Sequence, residues 1–395
     1  MSRISKIQLV GALFVSTLSL HAQFSIDGHP FQAHAFLSQG FVSSDQNNFL
    51  TMKTSGGSFA MTDAGVNLST QIGDKLRVGA QFYTSNVGEL GRWHPQLDWA
   101  VVDYRFRDWF GIRGGKVKTS LGLYNDTQDM GFLHTWALLP QSIYPLDLRD
   151  ATISHEGADI YGEVSLRKAG SVSYTAYGGM SRDSKYSGYY FSAVDTVPFK
   201  DVRRSLYGAD VRWTTPVAGL MLGGSYMHQR MGIDGTLAGT GGLYFRIDTD
   251  PPLRIAAGYA DYSRGKLHLA GEYRKHYEIL TYASPFYIMK GNEFGDQGFF
   301  VSAAYRLSHW LEMGAYNSRY YVNAPQDPSP GATHIFDQAV TARFDVTKHW
   351  HVKVEGHFMD GYGDTYSAHG FYPASNPQGL KPSTNMLVIR TGFNL

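Results

Sequence analysis

Polar and apolar residues alternate with period two through much of the chain. In KLRVGAQFY, the residues Lys75, Arg77, Gly79, Gln81 and Tyr83 hold one rank, and Leu76, Val78, Ala80 and Phe82 the other. ADIYGEVSLR sets Ile160, Gly162, Val164 and Leu166 against Asp159, Tyr161, Glu163, Ser165 and Arg167. HWHVKVEGHF sets Trp350, Val352, Val354 and Phe358 against His351, Lys353, Glu355 and His357. Segments of about ten residues in this pattern suit strands tilted through a hydrocarbon layer, apolar side out and polar side in. A soluble sandwich alternates too, but turns its apolar face to a core.

The breaks between segments separate these alternatives. Very short turns are predicted at Gly73-Asp74, Arg107-Asp108, Lys168–Gly170, Thr215–Val217, Arg264-Gly265, Ser308-His309 and Thr347–His349. Longer polar connections lie near 43–57, 86–94, 119–156, 182–203, 231–251, 278–296, 322–334 and 361–383. Short and long connections thus alternate strictly, which predicts a single all-β transmembrane antiparallel barrel of sixteen strands over 23–395. Membrane barrels sort their connections by length in this way, and soluble β-proteins have no reason to. Trp109, Trp213, Trp310 and Trp350 sit beside short turns, where an aromatic girdle belongs.

Composition narrows the class. The 395 residues include 44 glycines and 14% aromatics, as strands and tight turns require, and no cysteine, which rules out disulfides and thiolate metal sites. Residues 1–22 read as an export signal: Arg3 and Lys6, the apolar run Ile7 to Leu20, then LHAQ with cleavage after Ala22. That run is too short to span a bilayer as a helix, and no later apolar stretch is long enough. Without Arg3 and Lys6 the 35 Lys+Arg become 33 against 34 Asp+Glu, or −1, which gives no case for nucleic acid. Export without membrane helices leaves a secreted β-protein or a barrel of the outer membrane.

With sixteen strands and a third connection, 119–156, that is the longest, the chain resembles the general porins of Gram-negative outer membranes along almost its whole mature length. The resemblance implies a homotrimer in outer-membrane lipid, passing small hydrophilic solutes and ions by passive diffusion. It also implies that the third external loop folds into the lumen as a constriction, with acids on the loop facing bases on the wall. The last strand, NMLVIRTGFNL, carries Phe393 on a matching rung but ends on Leu395, not on the family's usual terminal aromatic.

The candidate constriction follows. Arg77, Arg105, Arg113, Lys116 and Lys118 are assigned to the wall or its mouth, because an unpaired base facing lipid costs about 2–4 kcal/mol at the midplane. Gly114-Gly115 is expected to carry a bulge, since strict alternation would send Arg113 and Lys118 to opposite faces. Facing them, the loop offers Asp126, Asp129, Asp147, Asp150 and Glu156, with Arg149 among them, or these acids are merely solvated. MGFLHTWALLP offers a short helix. The wider lining, with Arg167, Arg212, Arg254, Arg274, Arg306, Arg343, Lys353 and Arg390, leans basic and predicts weak anion selectivity.

Rival chemistry finds less support. His349, His351 and His357 share a rank but spread along one strand, so a solvated wall fits better than a metal site, and no cofactor is implied. SSDQNN and DGYGDT do not match a calcium loop. A barrel hydrolase would need a convergent nucleophile and base, and Ser154-His155 point to opposite faces of a strand. A substrate-specific channel, for phosphate or sugar, and an adhesin remain alternatives.

Overall fold

The computed structural model describes residues 22–26, 29–193, 199–236, 241–286, 288–323, 328–363 and 370–395. Sixteen strands run antiparallel around a closed ring. They are β1 (His29–Ser44), β2 (Ser58–Ile72), β3 (Leu76–Val87), β4 (Gln96–Arg107), β5 (Phe110–Lys118), β6 (Ser154–Ser165), β7 (Ser171–Arg182) and β8 (Phe199–Thr214). They continue as β9 (Leu220–Thr236), β10 (Leu253–Arg264), β11 (Leu267–Ala283), β12 (Gln297–Arg306), β13 (Leu311–Tyr321), β14 (His334–Thr347), β15 (Trp350–Asp360) and β16 (Ser383–Asn394). β16 pairs with β1, Ile389 opposite Phe41, so no edge of the ring is left open. Of the expected signal, residues 1–22, all but Ala22 lie outside the described residues, and Ala22 opens a short strand that pairs with β1.

The alternation has the predicted polarity. Phe82, Ile160, Val164, Val301, Val340 and Phe358 are exposed on the outer surface, as they would be against lipid. On the intervening ranks Gln81, Asp159, Glu272, Arg274, Lys353 and Glu355 are buried and face inward. All seven short turns fall where the sequence places them, at one end of the barrel. Trp109, Trp213 and Trp310 lie exposed beside them, and Trp350 stacks on Phe393 with ring centroids 5.4 Å apart. No described helix is long and apolar enough to cross a membrane.

Register corrects one local expectation. β5 pairs without a break through Gly114 and Gly115 on both sides, so the expected bulge is not there. Gly115 instead takes φ +120, a conformation L side chains rarely adopt. The irregularity in this region is on β4, where Trp99 pairs with Gln81 and Leu97 with Phe82, leaving Asp98 as the extra residue. That bulge sets Asp98 on the inner side, where it accepts a 3.0 Å hydrogen bond from Gln81.

Candidate functional site

The third long connection, residues 119–153, leaves β5 and returns to β6. At its root Thr119 N–H donates to Ile153 O at 3.0 Å, and Asn125 Nδ2 spans the gap to Thr119 O (2.8 Å) and Thr152 O (2.7 Å). Asp129 lies beneath, 2% exposed. It receives Lys118 Nζ at 2.5 Å and Gln81 Nε2 at 2.6 Å. Arg149, from the returning half of the loop, donates to Asp98 at 2.7 Å and covers the Tyr83 ring at 3.9 Å. Burial alone would push the Asp129 carboxyl up, but Lys118 and Arg149 outweigh it and hold the group below its ordinary range. Acid and base here come from loop and wall alike, and they meet in contact rather than across a gap.

From the root the loop is tied to the inner wall strand by strand. Arg212 of β8 donates to Gly122 O at 3.2 Å, and Glu272 of β11 accepts Leu123 N–H at 2.9 Å. Arg274 reaches Ile143 O at 3.0 Å, and Tyr144 hydroxyl donates to Glu272. Arg343 of β14 holds His134 O at 2.8 Å, and Arg390 of β16 holds Ala137 O at 2.9 Å. Lys353 of β15 holds both Gly131 O (2.6 Å) and Trp136 O (2.7 Å). In place of the helix MGFLHTWALLP offered, the structure has one 3₁₀ turn, Gly131–Leu133. An irregular loop leaves its carbonyls free of partners of its own, and wall cations supply them.

At the tip, Glu355 receives the backbone N–H groups of Ala137 and Leu138, both at 2.9 Å. Thr341 donates to the same carboxylate, and His357 Nε2 lies 3.0 Å from its other oxygen. His357 Nδ1 lies 2.9 Å from Asp337, which also accepts Tyr316 hydroxyl at 3.0 Å. His357 is 1% exposed, so the solvated histidine wall expected for this rank is instead a buried network. Among the described residues no three candidate ligands converge on a metal site.

On the returning half of the loop, Asp147 accepts the hydroxyl of Tyr372 from the eighth connection, and burial raises its carboxyl to about 7. Burial also raises Asp150, with neighbouring Asp183 adding to it, and Gln96 lies 3.5 Å away. Phe49, Leu50, Leu90, Leu138, Ala332 and Phe371, from five different connections, pack into one buried apolar cluster with Tyr372. Period-two reading could not find these residues, because loops carry no period.

The remaining predicted residues lie elsewhere. Arg113 stands on the inner face, 3.8 Å from Asp159 and 4.2 Å over Tyr161. Arg105 is exposed and 3.4 Å from Asp108, beside a short turn. Arg77 is exposed one residue into β3, paired with Asp103 and Gln71 next to another short turn. Lys116 pairs with Ala100 and exposed Glu156 on the outward rank of Ile112, not on the lumen wall. Asp126 contributes its carbonyl, which accepts Lys118 at 2.9 Å. Arg254, expected in the lining, faces outward, since its neighbour Ile255 is the buried one. Thr119, His155 and Asp159 are linked in the order nucleophile, base, acid at 3.0 and 2.9 Å, but each is 1% exposed or less and offers no atom to a substrate.

No family description and no curated sequence matches this chain. Solved structures do. OmpF of Salmonella typhi, in complex with daunomycin, aligns over 94% of this chain and 99% of its own, with TM-score 0.57 and 13% identity. The chain has the porin fold. The anion-selective porin from Comamonas acidovorans covers 93% of this chain and 100% of its own, TM-score 0.54 and 12% identity. OmpT of Vibrio cholerae, folded in vitro and in trimer form, covers 93% and 99%, TM-score 0.56 and 12% identity.

Proposed function

We propose that this chain is an outer-membrane porin, exported by the signal in residues 1–22, that lets small hydrophilic solutes and ions diffuse passively and assembles as a homotrimer. The carrying observation is the path of residues 119–153, whose backbone is bound by inner-wall side chains on β8, β11, β14, β15 and β16. Attachment at so many points around the ring supports a loop that folds across the lumen and would narrow it. Field lines concentrate in such a narrowing, so the charges still open to water set ion preference. Arg212 and Arg306 keep 27% and 35% of their side chains exposed, against 5% for Asp210 and 14% for Glu312. This imbalance supports a weak preference for anions.

Planar-bilayer recording of the folded protein tests the reading. Stepwise conductance is expected, with a reversal potential in a salt gradient that indicates slight anion preference. An absence of steps would sink the channel. Replacement of Arg212 and Arg306 together by Gln is expected to move the reversal potential toward cations.

A further inference from the structure

Where the second, third and fourth long connections meet, at the long-loop end of β3 and β4, they enclose a recess of about 40 Å³. That is room for about three water-sized groups. Three lining residues each leave one polar atom buried and without a hydrogen-bond partner among the described residues: Asp147 Oδ1, Arg149 Nε and Ser187 Oγ. The residues themselves are 3%, 6% and 5% exposed.

The other bonds of these groups are directed elsewhere. Asp147 takes the Tyr372 hydroxyl on its second oxygen. Arg149 lies over the Tyr83 ring and donates through Nη2 to Asp98 at 2.7 Å. Ser187 gives its backbone N–H to Ser184 O at 3.0 Å and keeps its hydroxyl unbonded. Buried donors and acceptors carry their full desolvation penalty until something pairs with them. Three around one recess fit a single occupant with several polar groups.

Charge selects among occupants. Asp147 and Asp150 flank Arg149 in the chain, and burial raises both carboxyls, Asp147 to about 7. Below that value Asp147 holds its proton, and Arg149 is balanced by Asp98. The recess then has little net charge to hold an ammonium or a carboxylate. A hydroxyl both donates and accepts, so it meets an acid, a guanidinium N–H and a serine alike. His94 and Tyr186, ring centroids 5.4 Å apart, also line the recess, and buried Leu90 adds an apolar wall suited to a carbon skeleton.

We propose that this recess binds a small neutral polyol, with three successive hydroxyls on Asp147, Arg149 and Ser187 and the carbon chain against the rings. The inference goes beyond the channel reading and does not rest on it.

Isothermal titration calorimetry of the detergent-folded protein gives the test, at about pH 6, where Asp147 is protonated. Erythritol is the probe, and its tetramethyl ether and glycine are the comparisons. The parent is expected to bind erythritol saturably, with affinity on the order of millimolar, and to bind neither comparison. Ser187→Ala should weaken binding about fivefold. Ser187→Leu, which fills the recess, should abolish it. Ser187 contributes no side-chain bond to residues 119–153, so both variants should keep the parent's gel mobility and bilayer conductance. If Ser187→Leu does not fold, Ser187→Ala still decides. Missing bilayer steps with erythritol binding intact would sink the channel reading and leave this site standing. No saturable heat with erythritol, undiminished binding by either folded variant, or equal binding of glycine or the ether overturns the proposal.

Discussion

Two of the places that fasten the third connection use different physics. At its root, Asp98 and Asp129 share Lys118 and Arg149, with Gln81 as a neutral partner to both acids. At its tip, one carboxylate, Glu355, takes two backbone N–H groups, a threonine hydroxyl and His357. The root is redundant, because each acid keeps a partner when one base is lost. At the tip the two peptide N–H groups rest on Glu355 alone. Removing Glu355 would strand two buried peptide N–H groups and leave His357 with Asp337 alone, and stranded buried donors carry their full desolvation penalty.

Glu355→Ala should therefore have the largest effect, about 3–5 kcal/mol lost from docking of the tip. Single-channel records should show larger, noisier conductance, and the heat-modifiable gel transition should fall in temperature. Unchanged conductance and transition would show that the tip is held by something else. Arg149→Leu should do less, about 1–3 kcal/mol, because Lys118 still covers Asp129 at 2.5 Å and Asp98 at 3.9 Å. A double-mutant cycle between Arg149→Leu and Lys118→Met checks the redundancy. The two losses should add to less than the loss in the double variant.

What could be read in advance follows the same division. The barrel was legible because strand period and connection length are local signals, and both survive into the structure. Lys118, Asp129 and Arg149 were legible as chemistry, and the structure brings them together, but no periodicity announces that a loop carboxylate will sit 2.6 Å from Gln81. Arg254 shows why a face can be misread. Its strand continues as IAAGYA, and the small residues Ala256, Ala257 and Gly258 weigh equally on both sides. Only pairing with β9, His228 opposite Arg254, fixes the face. Lys116 fails for the same reason, behind Gly114 and Gly115. Arg77 and Arg105 stand on the predicted rank beside short turns, at the mouth and apart from residues 119–153.

A third fastening, between Asp147 and Tyr372, is tunable. Burial raises the Asp147 carboxyl to about 7, so the folded protein holds a proton that an unfolded aspartate, ordinarily near 3.8, has released. Between those values the native state binds more protons than the unfolded one, and stability falls as pH rises through the window. The contribution is complete below the lower value and gone above the upper. Asp147→Asn, which cannot ionise, should flatten that fall in the temperature of the gel transition measured from pH 4 to 8. An unchanged slope would place the titrating group elsewhere.

The smallest effect belongs to Arg105→Gln. Its partner Asp108 is almost wholly exposed, 3.4 Å away at a short turn, and exposed pairs of this kind contribute about 0–1 kcal/mol. The gel transition should not move, and the reversal potential should shift far less than in the Arg212→Gln, Arg306→Gln variant. If Arg105→Gln instead moved ion preference as much as that pair, a charge with no contact to residues 119–153 or to the wall residues that hold them would decide selectivity, and the proposed constriction would set size alone.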